Sequence, residues 1–87
     1  MSKYIKRPIP LEAVQWFKYG DHSAVVDLEH DEGDCRICTA GYWCHDWIDT
    51  LEGGHIVCPS DWILTGTRGE HWPVKNDIFK ETYEPAA

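Results

Sequence analysis

Apolar residues in the second half of the chain come in short pulses broken at close intervals. In WIDTLEGGHIVCPSDWILTGTRGEHWPV, residues 47–74, the breaks are Gly53-Gly54, Pro59-Ser60-Asp61 and Gly66-Thr67-Arg68-Gly69, each a turn signature. The pattern predicts strands over Tyr42–Thr50, His55–Cys58, Trp62–Thr65 and Glu70–Val74. Short strands joined by tight turns predict a meander that curls towards a small barrel and so partly closes its edges. Asn76 or Asp77 is placed to cap a helical turn through Phe79. Thr82–Pro85 reads as extended or irregular.

The first half is less regular. LEAVQWF, residues 11–17, alternates as a strand, with Leu11, Ala13 and Gln15 on one face and Glu12, Val14 and Trp16 on the other. Neither face is wholly apolar. Pro8 and Pro10 argue against a helix and suit an edge, because proline donates no ladder bond. Further on, Asp21 or Ser23 could cap a helix through Ala24, Val25 and Leu28, but AVVDL reads equally as a strand. Glu29–Asp34 is too polar for a core and contains Gly33, so a solvent-exposed loop is expected. The chain has no internal repeat. The fold class is therefore mainly β: a small curled antiparallel sheet or partly open barrel with one or two short helical turns. A single small domain over 1–87 is expected, with an acidic loop and cysteine-rich knuckle, 29–45, inserted before the C-terminal meander.

Composition adds limits. A chain of 87 residues buries roughly two thirds or less of its extended surface, leaving little surplus stability. Five Trp, four Tyr and two Phe make a core feasible. The net charge of -7 is unevenly placed: residues 1–18 carry Lys3, Lys6, Arg7 and Lys18 against Glu12, whereas 19–61 hold ten acids against Arg36 alone. An acidic middle disfavours a phosphate backbone, making nucleic acid a poor partner. It suits a basic protein, or solubility alone. No apolar run approaches a membrane span, and MSKYIKRPIP lacks the hydrophobic stretch of a secretory signal. Cytoplasmic residence is expected, where thiols stay reduced and metal ligation gains over disulfides.

Cysteine and histidine carry the clearest chemistry. Cys35 and Cys38 have the two-residue gap that sets two thiolates on one knuckle facing a single tetrahedral ion. The other half of a site could come from Cys44 or His45, then from His55 or Cys58. Cys44 and His45 would face apart on a strand, so they are not expected to share an ion. Cys35, Cys38, His45 and Cys58 make the most chemical sense, joining a loop knuckle to two later strands. Thiolates and imidazole favour zinc over magnesium or calcium, and a shell closed by protein ligands is structural. A redox dithiol also has this gap, but no β-α-β pattern surrounds it. Non-ligand cysteines are the plainer alternative, with Cys44 as a small core residue.

Catalytic signals are weaker. His22, His30, His55 and His71 form no spacing that selects a base, a nucleophile and an orienting group. Ser60 and Asp61 read as turn residues, and GTRG lacks the glycine spacing and lysine of a phosphate loop. A metal-dependent hydrolase would instead use His45, His55 and Asp61 around an open ion. Trp43, Trp47, Trp62, Trp72 and Tyr83 are mostly expected in the core, and any left exposed could anchor a protein partner. Nucleic-acid binding through the basic N-terminal segment and exposed aromatics is a further alternative.

Three segments carry a resemblance: EAVQW at Glu12–Trp16, PSDWI at Pro59–Ile63 and KNDIFKETYE at Lys75–Glu84. They resemble a widespread group of small, uncharacterised proteins encoded by tailed bacteriophages and prophages. The likeness covers roughly residues 4–17 and 47–85, with Ser60 and Asn76 standing where a Gly and a Pro are usual. Some relatives look as though they retain the residues corresponding to Cys35, Cys38, His45 and Cys58, while others lack the cysteine insertion. The resemblance thus implies a phage or prophage origin and a stabilising metal site, and it implies no particular activity. The resulting expectation is a non-enzymatic accessory protein that binds a host or phage protein.

Overall fold

The computed structural model describes residues 2–5, 7–27, 33–41 and 44–86. The strands are β1 (Glu12–Gln15), β2 (Val25–Val26), β3 (Asp46–Thr50), β4 (Gly53–Val57), β5 (Trp62–Thr65) and β6 (His71–Val74), followed by helix α1 (Asn76–Thr82). They form two three-stranded antiparallel sheets, ordered β1-β5-β6 and β2-β3-β4. The fold is mainly β, as expected, and among the described residues it divides into two small sheets with no closed barrel. The turn after β4 explains this, because it carries the chain from one sheet into the other instead of folding β5 back onto β4.

Trp16, Val25, Ile48, Val57 and Ile63 form the core cluster, with Ala24 packed against it. They come from both sheets, so the core lies between them. Each such side chain contributes about 1.5–3 kcal/mol when fully buried. Trp16 is reached just past β1, where its N–H donates to the Asp61 carbonyl at 2.7 Å and its carbonyl accepts from Ser60 at 2.8 Å. Its fully buried indole N–H has no hydrogen-bond partner among the described residues.

Several boundaries differ from the pattern. The strand expected over Tyr42–Thr50 begins at Asp46; Tyr42 and Trp43 lie outside the described residues, and Cys44 sits in a turn. Gly53 and Gly54 open β4 opposite Thr50 and Asp49, so Leu51-Glu52 makes the turn. Gly54 belongs there because a Cβ would collide with the Trp47 indole. AVVDL resolves as the short β2, and Leu28 is outside the described residues, as are Glu29–Glu32 of the expected loop. Asp21 caps no helix: its carboxylate accepts from the N–H groups of Phe17 (3.0 Å) and Lys18 (3.2 Å).

Helix α1 runs on to Thr82, and neither Asn76 nor Asp77 caps it; Lys75 holds that position without a side-chain bond. The Asn76 side-chain oxygen instead accepts from Trp62 Nε1 at 3.0 Å and Gln15 Nε2 at 3.3 Å. The aromatic set also needs correction. Trp47, Trp62, Trp72 and Tyr83 are half-buried, Trp43 lies outside the described residues, and Trp16 is the tryptophan in the core. Trp62 stacks on Phe79 and Phe79 on Tyr83, with ring centroids 4.1 and 5.2 Å apart.

Candidate metal centre

Cys35 opens a tight loop. Its N–H donates to the Ala40 carbonyl (2.8 Å) and its carbonyl accepts from Thr39 (3.0 Å), while Asp34 bridges to Gly41. The Ile37 N–H points at Cys35 Sγ from 3.4 Å. The two-residue gap thus builds a knuckle whose amides solvate a thiolate. Thr39 completes it at φ 66°, a left-handed conformation costly for a β-branched residue.

Cys58 follows the last residue of β4. Pro59 and Ser60 occupy the middle of a turn closed by the Asp61 N–H on the Cys58 carbonyl at 3.0 Å, with Ser60 at φ 77°. Proline second and a positive φ third are the pattern of a type II turn. Asp61 is buried, and its carboxylate accepts from the Cys58 N–H at 2.9 Å. Its expected role as a turn residue is what the structure displays.

His45 stands one residue before β3, fully buried. Its Nε2 lies 3.0 Å from Cys38 Sγ, and its Nδ1 lies 2.9 Å from the Gly41 carbonyl. A carbonyl only accepts, so Nδ1 carries a proton, and Nε2 is the ring nitrogen that faces the cysteines. Metal-binding histidines are commonly oriented by such a bond.

These elements bring Cys35, Cys38, His45 and Cys58 together, with one ligand atom from each lying within 4.8 Å of all the others. Cys35 Sγ and Cys58 Sγ are 3.7 Å apart, and none of the cysteines is in a disulfide. Bond lengths of about 2.3 Å to sulfur and 2.0–2.1 Å to nitrogen put tetrahedral ligand atoms roughly 3.8 Å (S–S) and 3.5 Å (S–N) apart. The sulfur pair already has that spacing. Cys38 and His45 need to separate by about half an ångström. Three of the four are buried and Cys38 is exposed, so the cluster opens to solvent beside the knuckle. A Cys3His set of this kind can hold a metal ion.

Protonation differs between the paired thiols. Burial pushes Cys58 up to about 12, with Lys75 opposing and Asp61 and Cys35 reinforcing the rise. Burial also acts to raise Cys35, but the N–H groups of Cys38 and Ile37, together with the Cys58 and Cys38 thiols, hold its thiol below the ordinary value. The two sulfurs thus differ in the ease with which each gives up its proton, and metal binding requires both to do so.

Cys44 and His55 stay out of the cluster. Cys44 donates to the Gly41 carbonyl at 3.1 Å and lies 3.4 Å from His45 Nδ1, on the ring edge away from Cys38. It does so from a turn, so strand alternation is not the reason for its exclusion. His55 is exposed on β4 and lines a groove of about 420 Å³ with Leu51, Glu52, Glu70 and Trp72. Among the described residues His45, His55 and Asp61 do not form a group that could hold an ion; His55 and Asp61 line a common shallow pocket, where both Asp61 oxygens are 3.0 Å from Lys75 Nζ. Lys75 is the neighbour that sequence reasoning missed. Fourteen residues separate it from Asp61, and no motif links them.

No protein-family model, curated protein or solved structure matches the chain.

Proposed function

We propose that the protein is a phage or prophage accessory factor, a non-enzymatic module that binds a host or phage protein in the host cytoplasm and is held together by a structural zinc ion. The observation that carries the zinc reading is the convergence of Cys35, Cys38, Cys58 and His45 Nε2, with the imidazole fixed by Gly41. Thiolates and imidazole select zinc over the oxygen-seeking divalent ions. Four protein ligands leave no open position for substrate, which favours a structural over a catalytic ion.

The phage reading rests on the resemblance of EAVQW, PSDWI and KNDIFKETYE. The interaction reading rests on large apolar side chains in solvent, among them Tyr4, Ile5, Tyr19 and Leu51, and on the acidic middle of the sequence. Elemental analysis of protein purified without added metal is expected to give one zinc per chain. A fully folded, metal-free chain would sink the zinc reading. Host extract passed over immobilised protein should yield a partner that forms a stoichiometric complex when both are purified; the interaction reading fails if none does.

A further inference from the structure

Three thiolates and a neutral imidazole around a divalent ion leave one negative charge. Asp61 adds a second beside it, because its carboxylate is bound to the Cys58 N–H and is only 2 % exposed. Buried like charges are costly unless a cation faces them. Lys75 Nζ lies 3.0 Å from both Asp61 oxygens. Lys75 ends the link between β6 and α1, so this cation reaches the centre from the C-terminal part of the chain.

We propose that Lys75 is the positioning and charge-compensating residue of the metal centre, acting through Asp61 to hold Cys58 as a ligand. The inference rests on the zinc reading above. Asp61 fixes the turn that presents the Cys58 sulfur, and Lys75 holds the Asp61 carboxylate in that turn through both of its oxygens. The two form one device. Removing Lys75 alone leaves an unpaired carboxylate next to the thiolates, whereas removing both charges does not. Asn at position 61 still offers an oxygen to the Cys58 N–H.

The test measures Co2+ and Zn2+ affinity by chelator competition, using the full chain and the variants Lys75→Met, Asp61→Asn and Lys75→Met/Asp61→Asn. Lys75→Met is expected to bind 10–100-fold more weakly, the usual range for loss of a residue that supports a ligand. Its Co2+ spectrum should keep the bands of a tetrahedral three-sulfur, one-nitrogen site. The double variant should recover part of the lost affinity, which a purely structural role for Lys75 would not produce. If Lys75→Met fails to fold, the double variant decides: folding with metal bound supports the proposal. Equal affinity in Lys75→Met and the parent overturns it, as does a double variant no tighter than Lys75→Met. A parent that binds neither ion overturns the zinc reading as well, so the two failures are distinguishable.

Discussion

Ser60 shows how one residue sets the geometry of the centre. Its φ of 77° suits glycine and costs other residues about 1–2 kcal/mol. Ser60→Gly removes that strain but gives the unfolded chain more freedom, offsetting about 0.5–1 kcal/mol of the gain. A net stabilisation of about 0.5–1 kcal/mol is expected, raising the melting temperature by roughly 2–8 °C. Thermal unfolding of the metal-loaded protein checks this; a lower midpoint would mean that the serine hydroxyl is required.

His22 makes a second local prediction. Its ring meets His71 edge-on at 5.1 Å, and its Nδ1 accepts the Ala24 N–H at 3.0 Å. Burial, reinforced by the charge of His71, pushes its pKa below the ordinary 6.5. The unfolded chain therefore takes up the proton first, and this site destabilises the fold as pH falls through the unfolded value of about 6.5. The loss grows until the lower folded pKa is passed. Denaturant unfolding between pH 7.5 and 5 should show a shallower decline in His22→Gln than in the parent. Equal slopes would remove His22 as a cause.

Among the elements, α1 has the least support of its own. Its seven residues include none that is buried, and no side chain caps its start. A helix this short is not stable in isolation. Phe79, stacked between Trp62 and Tyr83, fastens it to β5. Phe79→Ala is expected to cost about 1–3 kcal/mol, less than a fully buried aromatic, and to lower the helical circular-dichroism signal while metal content stays the same. Loss of metal would instead tie the helix to the centre. The same elements show what the sequence made legible. Turn chemistry located β5 fully and β4 and β6 to within a few residues, because glycine and proline act locally. The hairpin turn at Leu51-Glu52 was misplaced because Gly54 is needed for the Trp47 ring, a contact across the hairpin that no local pattern carries. Spacing singled out Cys35 and Cys38, and ligand chemistry with the resemblance added His45 and Cys58, all four of which converge, whereas Lys75 and the Gly41 carbonyl act through tertiary placement and left no signal.

For the whole molecule, the issue is whether the apolar core can hold two small sheets together unaided. Domains are stable by roughly 0.05–0.15 kcal/mol per residue, so a chain of this size has about 4–13 kcal/mol in all. Structural zinc sites contribute apparent binding free energies of about 10–16 kcal/mol at neutral pH. On those magnitudes the ion, where bound, is worth as much as the whole stability margin of a domain this size. Its candidate ligands also sit outside the sheet ladders: among the described residues the knuckle is joined by an isolated bridge between Asp34 and Gly41, and His45 and Cys58 flank β3 and β4. Removing the metal should therefore free the knuckle first and then expose the half-buried tryptophans. With a strong chelator under reducing conditions, tryptophan emission is expected to shift to longer wavelength and the cooperative thermal transition to be lost or fall by more than about 10 °C, given about 4–8 °C per kcal/mol for a domain of this size. Adding zinc back should restore both, and an unchanged transition in the metal-free protein would show that packing between the sheets suffices.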